Sequence, residues 1–224
     1  MRSTAGWAAA MDVVTRPSPE TVLVRFDRVE RLAHWLTALA FCILIATGAV
    51  LYVPSLAIAV GRRALVERVH VDTGLALPVP LIVALLGTWG KGLRADVRRF
   101  NRWAQADRLW LHLSIRRQRA GNLPVGKFNA GQKLNAAFSV GVMAVMLMTG
   151  CIMRWSYFWP LSWRSGATFV HDTVAIAFVV VVLGHIKMAL SHPVALRSMF
   201  TGKVARSWAE HHAPLWLDEL DRPS

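Results

Sequence analysis

Four histidines stand where histidine is expensive. His34, His70, His171 and His185 lie inside apolar runs long enough to cross a bilayer. An ionisable side chain at membrane depth is retained for a partner or a function. His171 and His185 are 185 − 171 = 14 residues apart. On a helix that is about 21 Å of rise and nearly four whole turns, so both point to one side. His34 opens the first run and His185 closes the fourth, which puts them at one membrane level. His70 opens the second run and His171 opens the fourth, which puts them at the other. Each level thus offers two histidines from two different helices, the donor set of a six-coordinate haem iron. Two b-type haems stacked along the membrane normal are therefore expected, His34 with His185 and His70 with His171 as metal ligands. Zinc is the rival metal, but each level supplies only two histidines and no thiolate. The bland alternative for any one of them is a helix-to-helix hydrogen bond. Asp72 and Asp172, beside His70 and His171, are either carboxylates that orient the imidazoles or ordinary loop-end acids.

The other reactive side chains carry less. Cys42 and Cys151 both lie in apolar runs and read as small buried hydrophobes. With no Cys-x-x-Cys pair, Fe–S ligation and thioredoxin chemistry are excluded, as is covalent haem attachment through Cys-x-x-Cys-His. His112, His192, His211 and His212 fall in basic or polar segments and read as solvated residues.

Four helices must position the histidine levels. The apolar runs are Leu32–Val53, Val69–Trp89, Leu134–Met153 and Ala167–Leu190, each near the roughly 20 residues a bilayer needs. Pro78 and Pro80 should kink the second, which membrane helices tolerate. The fold class expected is all-α, an integral membrane four-helix bundle. Residues 1–31 would form a cytoplasmic N-terminal segment, 32–190 the transmembrane di-haem cytochrome b domain, and 191–224 a cytoplasmic C-terminal tail. Residues 1–31 hold no long apolar stretch, so no cleaved signal peptide is expected.

Net charge is +13 across 224 residues, and 54% of them are hydrophobic. The connection Lys91–Lys127 holds ten Lys/Arg against Asp96 and Asp107, whereas the connections at the other end hold Arg62, Arg63 and Arg68, then Arg154 and Arg164. The positive-inside rule then puts both termini and Lys91–Lys127 in the cytoplasm, as a multi-pass protein of the cytoplasmic (inner) membrane. The charge is accounted for by topology, with no nucleic acid partner. Trp155, Tyr157, Trp159 and Trp163 read as an interfacial aromatic belt. Phe100, Trp103, Leu109 and Trp110, interleaved with Arg, suggest an amphipathic interfacial helix. No internal repeat of fixed period and no low-complexity tract is visible.

Several segments resemble one family. Arg31-Leu-Ala-His34-Trp-Leu, Val125-Gly-Lys-Phe-Asn-Ala-Gly-Gln-Lys133, Phe169-Val-His171, Gly184-His-Ile-Lys-Met-Ala189 and Gly202-Lys-Val-Ala-Arg-Ser-Trp-Ala-Glu-His-His212 resemble the gamma subunit, the cytochrome b subunit, of membrane-bound formate dehydrogenases. The second-helix motif matches only at Arg68, His70 and Gly74. The resemblance implies a four-helix cytochrome with two haem b groups, ligands paired as above, and a quinone (menaquinone or ubiquinone) reduced near the cytoplasmic haem. It places Asn129 and Gly131 in the quinone site beside His185. An Asn can donate to a quinone oxygen and a Gly lets a ring approach the backbone. Asn129 could equally cap helix three, and the two roles are compatible.

The implied partners are the iron–sulfur (beta) and molybdopterin (alpha) subunits of formate dehydrogenase. This chain would pass electrons from the iron–sulfur subunit to the quinone pool and would not itself oxidise formate. The alternatives are a cytochrome b subunit of another oxidoreductase, such as a hydrogenase or thiosulfate reductase, and a haem-free membrane anchor or transporter.

Overall fold

The computed structural model describes residues 20–116 and 123–222. Residues 1–19 of the N-terminal segment, with most of the stretch read as lacking a signal peptide, lie outside the described residues, as do 117–122 of the basic connection. In chain order the elements are β1 (Val22–Val24), α1 (Arg28–Tyr52), α2 (Pro54–Val60), α3 (Arg63–Ala76), α4 (Val79–Leu86), α5 (Lys91–Asn101) and α6 (Gln105–Ile115). Then follow α7 (Ala130–Arg154), a 3-10 turn Ser156–Phe158, α8 (Leu161–Leu190), α9 (Pro193–Thr201), β2 (Lys203–Ala205), α10 (Arg206–His212) and α11 (Pro214–Asp221).

Four spans are long and apolar enough to cross a membrane: α1, α3 with α4, α7 and α8. Leu32, Leu36, Leu39, Val140, Val180 and Leu183 are all exposed on the bundle. Such a surface belongs in lipid, where apolar side chains meet apolar solvent. The protein is an all-α integral membrane bundle, to which one small two-stranded sheet is added.

At their N-terminal ends the helices outrun the apolar stretches that announce them, because hydropathy does not set where a helix starts. Asp27 Oδ1 accepts from Glu30 N at 2.8 Å while Glu30 Oε2 accepts from Asp27 N at 2.5 Å, so α1 starts at Arg28 rather than Leu32. Asn129 and Gln132 form the same reciprocal box, both bonds 2.9 Å, and α7 starts at Ala130. Each box satisfies backbone N–H groups that the first turn leaves without partners. The charged turns around Arg63 and Arg164 extend α3 and α8 toward the Trp-rich end. The prolines interrupt the second span as two helices, α3 and α4, and Leu77 and Pro78 keep right-handed helical angles between them, so the chain does not unwind there.

At the basic end the two terminal segments meet. β1 pairs antiparallel with β2, Leu23 opposite Val204. Val204, Ala209, Ala213, Trp216 and Leu217 form a small core against which Leu23 and Trp208 pack. The basic connection does contain an amphipathic helix, α5, followed by a second helix, α6, after a break at Arg102–Ala104. Phe100 stacks on Phe128 at 4.2 Å and Trp110 lies against Gly131, while Trp103 and Leu109 are exposed. The aromatic residues are thus divided between packing and solvent.

A buried ionic cluster ties these pieces to the bundle. Lys127 Nζ donates to Asp96 at 2.6 and 2.8 Å and to Glu30 Oε1 at 3.3 Å, and it sits over the Phe26 ring at 4.7 Å. Arg99 bonds Asp96 at 2.7 Å and reaches Glu219 of α11 at 2.7 Å. The Arg99 guanidinium holds the Glu219 carboxyl below its ordinary range. Lys133 Nζ bonds Asp107 at 2.7 Å and the Arg102 carbonyl at 2.8 Å, which docks α6 on α7.

Candidate cofactor-binding site

α1 packs chiefly on α3, and α7 on α8; each pair carries one histidine of the Trp-rich level. His70 and His171 face each other with ring centroids 6.3 Å apart and planes crossed at 64°. Two imidazoles on opposite sides of one metal ion lie about 6 Å apart, two metal–nitrogen bonds of about 2 Å plus two ring radii of roughly 1 Å.

Both rings are held in the same way. Thr47 Oγ1 is 2.9 Å from His70 Nδ1, and Thr149 Oγ1 is 2.9 Å from His171 Nδ1. Each hydroxyl also donates along its own helix, Thr47 to the Ile43 carbonyl and Thr149 to the Val145 carbonyl, both at 2.7 Å. A hydroxyl has one proton. With that proton on the carbonyl, the oxygen accepts from the imidazole, so the network assigns Nδ1–H to both histidines. Nε2 of each is then the nitrogen with a lone pair, as a metal ligand requires. The next residue on each helix is glycine. A Cβ on Gly48 would meet His70 Cε1 at 3.5 Å and one on Gly150 would meet His171 Cε1 at 3.6 Å. A methyl group there would already touch the ring, and anything longer would displace it.

The basic level is more open. His34 on α1 is half-buried and His185 on α8 is exposed, and the two lie within electrostatic reach of each other. Trp35 meets His34 edge-on at 5.3 Å, packs against Phe200 at 4.7 Å with the rings tilted by 34°, and donates from Nε1 to the Met199 carbonyl at 3.0 Å. Arg31 donates to the Phe200 carbonyl. The start of α1 is thereby pinned to α9. One turn beyond His34, the buried Thr37 hydroxyl has no partner among the described residues. Between the two levels, Phe41 of α1 and Phe178 of α8 pack at 4.4 Å, with Phe178 buried.

Among the described residues, no three His, Cys, Asp or Glu side chains converge on a metal site. Two facing imidazoles suit an iron whose other four positions a macrocycle fills. Residues 25–202 match the family model described as prokaryotic cytochrome b561. The chain belongs to the prokaryotic cytochrome b561 family. It is similar to the nitrate-inducible formate dehydrogenase cytochrome b556(Fdn) subunit of Escherichia coli strain K12, 26% identical over 92% of this chain and 94% of that one. The formate dehydrogenase cytochrome b556(fdo) subunit of the same strain is 27% identical over 88% and 93%. The formate dehydrogenase cytochrome b556 subunit of Haemophilus influenzae is 25% identical over 90% and 85%. As a cytochrome b561 family member the chain is an integral membrane haem b protein that transfers electrons, and the donor chemistry of His70 and His171 fits that group.

The remaining candidate residues divide. Asn129 caps α7 through Oδ1, and among the described residues no hydrogen bond engages its Nδ2. The open side of Gly131 is taken by the Trp110 indole, 3.0 Å from where a Cβ would stand. Neither aspartate orients a histidine: the Nδ1 partners are the two threonines, His70 is also bonded to the Leu44 carbonyl, and Asp72 is exposed. His192, His211 and His212 each bond through Nδ1 to the carbonyl four residues back. Thr47, Thr149 and the Phe41–Phe178 pair are absent from the sequence-level candidates. The available signal was the Thr-Gly dipeptide standing 70 − 47 = 23 and 171 − 149 = 22 residues ahead of the two histidines.

Proposed function

We propose that this cytochrome b561 family protein is the di-haem cytochrome b subunit of a membrane-bound formate dehydrogenase, passing electrons from an iron–sulfur subunit to the quinone pool. The match to formate dehydrogenase cytochrome subunits over nearly the whole of both chains supports the partnership, with an iron–sulfur and a molybdopterin subunit as the other members. His70 and His171 hold one haem through Nε2, and His34 and His185 hold the other. The observation that carries this is the facing pair of imidazoles 6.3 Å apart, each with Nδ1 on a threonine hydroxyl. The partnerless Thr37 hydroxyl beside His34 supports a polar group at the second level.

Haem iron bound in each layer supplies a one-electron carrier. The protein's share is to keep both imidazoles neutral, fixed and out of water. The Lys/Arg excess of the basic end supports a cytoplasmic-membrane orientation with both termini inside. On that orientation Asn129 and Gly131 lie at the cytoplasmic level, where Asn129 Nδ2 donates to a quinone oxygen. A quinone ring against Gly131 stacks on Trp110 or takes its place.

Haem content tests the reading directly. Pyridine haemochrome analysis of the purified complex should give close to two haems per chain. His171→Ala should remove one and His185→Ala the other, each leaving its partner haem in the difference spectrum. A haem content near zero in well-assembled protein would sink the proposal.

A further inference from the structure

The two threonine hydroxyls are alike in four respects: acceptor to Nδ1 at 2.9 Å, donor to the i−4 carbonyl at 2.7 Å, membrane depth, and a following glycine against the ring. Packing alone does not call for this. A valine would fill the same volume in each helix, and threonine brings to a membrane helix only its hydroxyl. That hydroxyl completes a relay Nδ1–H···Oγ1–H···O=C, in which each bond polarises the next.

We infer that Thr47 and Thr149 are positioning residues for the haem held by His70 and His171, locking each ligand's tautomer and ring angle and strengthening its donation to iron. The inference rests on the ligand pair named under Proposed function. An imidazole whose Nδ1–H is drawn toward an acceptor is a stronger donor through Nε2. Stronger donation favours ferric over ferrous iron and lowers the reduction potential. The hydroxyls also fix the rings at 64° to each other. Two axial imidazoles in steeply crossed planes give ferric haem a strongly anisotropic low-spin EPR signal, whereas parallel planes give an ordinary rhombic one. One pair of side chains thus sets two observables.

The experiment is a graded series in the assembled complex: Thr47→Ser, Thr47→Cys, Thr47→Val, and the same three at Thr149. Potentials are read by optical redox titration and ring geometry by EPR of the oxidised protein. Serine keeps the acceptor and should match wild type in both. Cysteine, a weak acceptor, should move the midpoint of the His70/His171 haem upward, and valine should move it further, with the other haem unmoved. The anisotropic signal should shift in the valine variants as the ring is released. Selective loss of that haem in the valine variants, with serine retaining it, would equally establish positioning. Midpoint and EPR signal unchanged across both series would overturn the inference, and where valine fails to assemble the cysteine variants decide. If wild-type protein holds no haem that His171→Ala removes, the ligand reading has failed instead.

Discussion

The histidines were legible because ionisable side chains stand out in apolar runs. The threonines were not: a membrane-helix threonine ordinarily bonds its own i−4 carbonyl, and Thr47 and Thr149 do so while also accepting from the ring. Only the fold shows the second bond. Asn129 was legible as a cap, which is now explicit, while its quinone role stands as a proposal. The two roles can be separated. Asn129→Ala removes the cap, at a cost of about 1 kcal/mol, and it also removes Nδ2. If Asn129 contacts quinone, formate-driven haem reduction should persist while quinone turnover falls at least tenfold. Stopped-flow spectra of haem reduction alongside steady-state quinol formation measure both. Unchanged quinol formation would take Asn129 out of the quinone site.

Helices were located correctly and bounded poorly, for a physical reason. Apolar runs mark the stretch that lipid must solvate, whereas the helix continues to its caps at Asp27 and Asn129. The small core of Val204, Ala209, Ala213, Trp216 and Leu217 was not read at all. It is built from a three-residue strand and two short helices, too short to carry a period. The ionic cluster was hidden too, because Glu30, Asp96 and Lys127 are remote in sequence. It fastens α1, α5 and the approach to α7 through one ammonium. Lys127→Met leaves Asp96 with Arg99 alone and Glu30 with its capping bond alone, and should cost about 3 kcal/mol, the low end for breaking a buried pair. Thermal unfolding in detergent should record a clear loss for Lys127→Met. A melting temperature within a degree of wild type would mean that the cluster contributes little to stability.

For the molecule as a whole, topology and charge were read together. The basic end gathers α5, α6, the strand pair and the C-terminal helices, so one face of the bundle carries nearly all the polar structure. If that face is cytoplasmic, a Ser114→Cys variant, with Cys42 and Cys151 replaced by alanine, should resist an impermeant maleimide in intact cells and label after lysis. Ser114 is exposed on α6, so accessibility within the protein is no obstacle. Efficient labelling of intact cells would invert the orientation.

If each histidine level holds a haem, as proposed, the Phe41–Phe178 pair separates two tasks that a respiratory membrane must keep apart. Phe178 is seven residues from His171 and seven from His185, about 10 Å of helix in each direction. Electrons tunnel across an apolar gap of that size, but protons need a chain of water or polar groups, and two packed rings offer neither. On the di-haem reading the pair would insulate against one carrier and let the other pass. Phe178→Ser would open a polar gap at mid-depth. Proteoliposomes carrying it should dissipate an imposed pH gradient faster than wild type while haem-to-haem electron transfer continues. Gradient decay at the wild-type rate would show that the seal lies elsewhere. A membrane that leaked protons here would still burn its fuel and would store none of the energy.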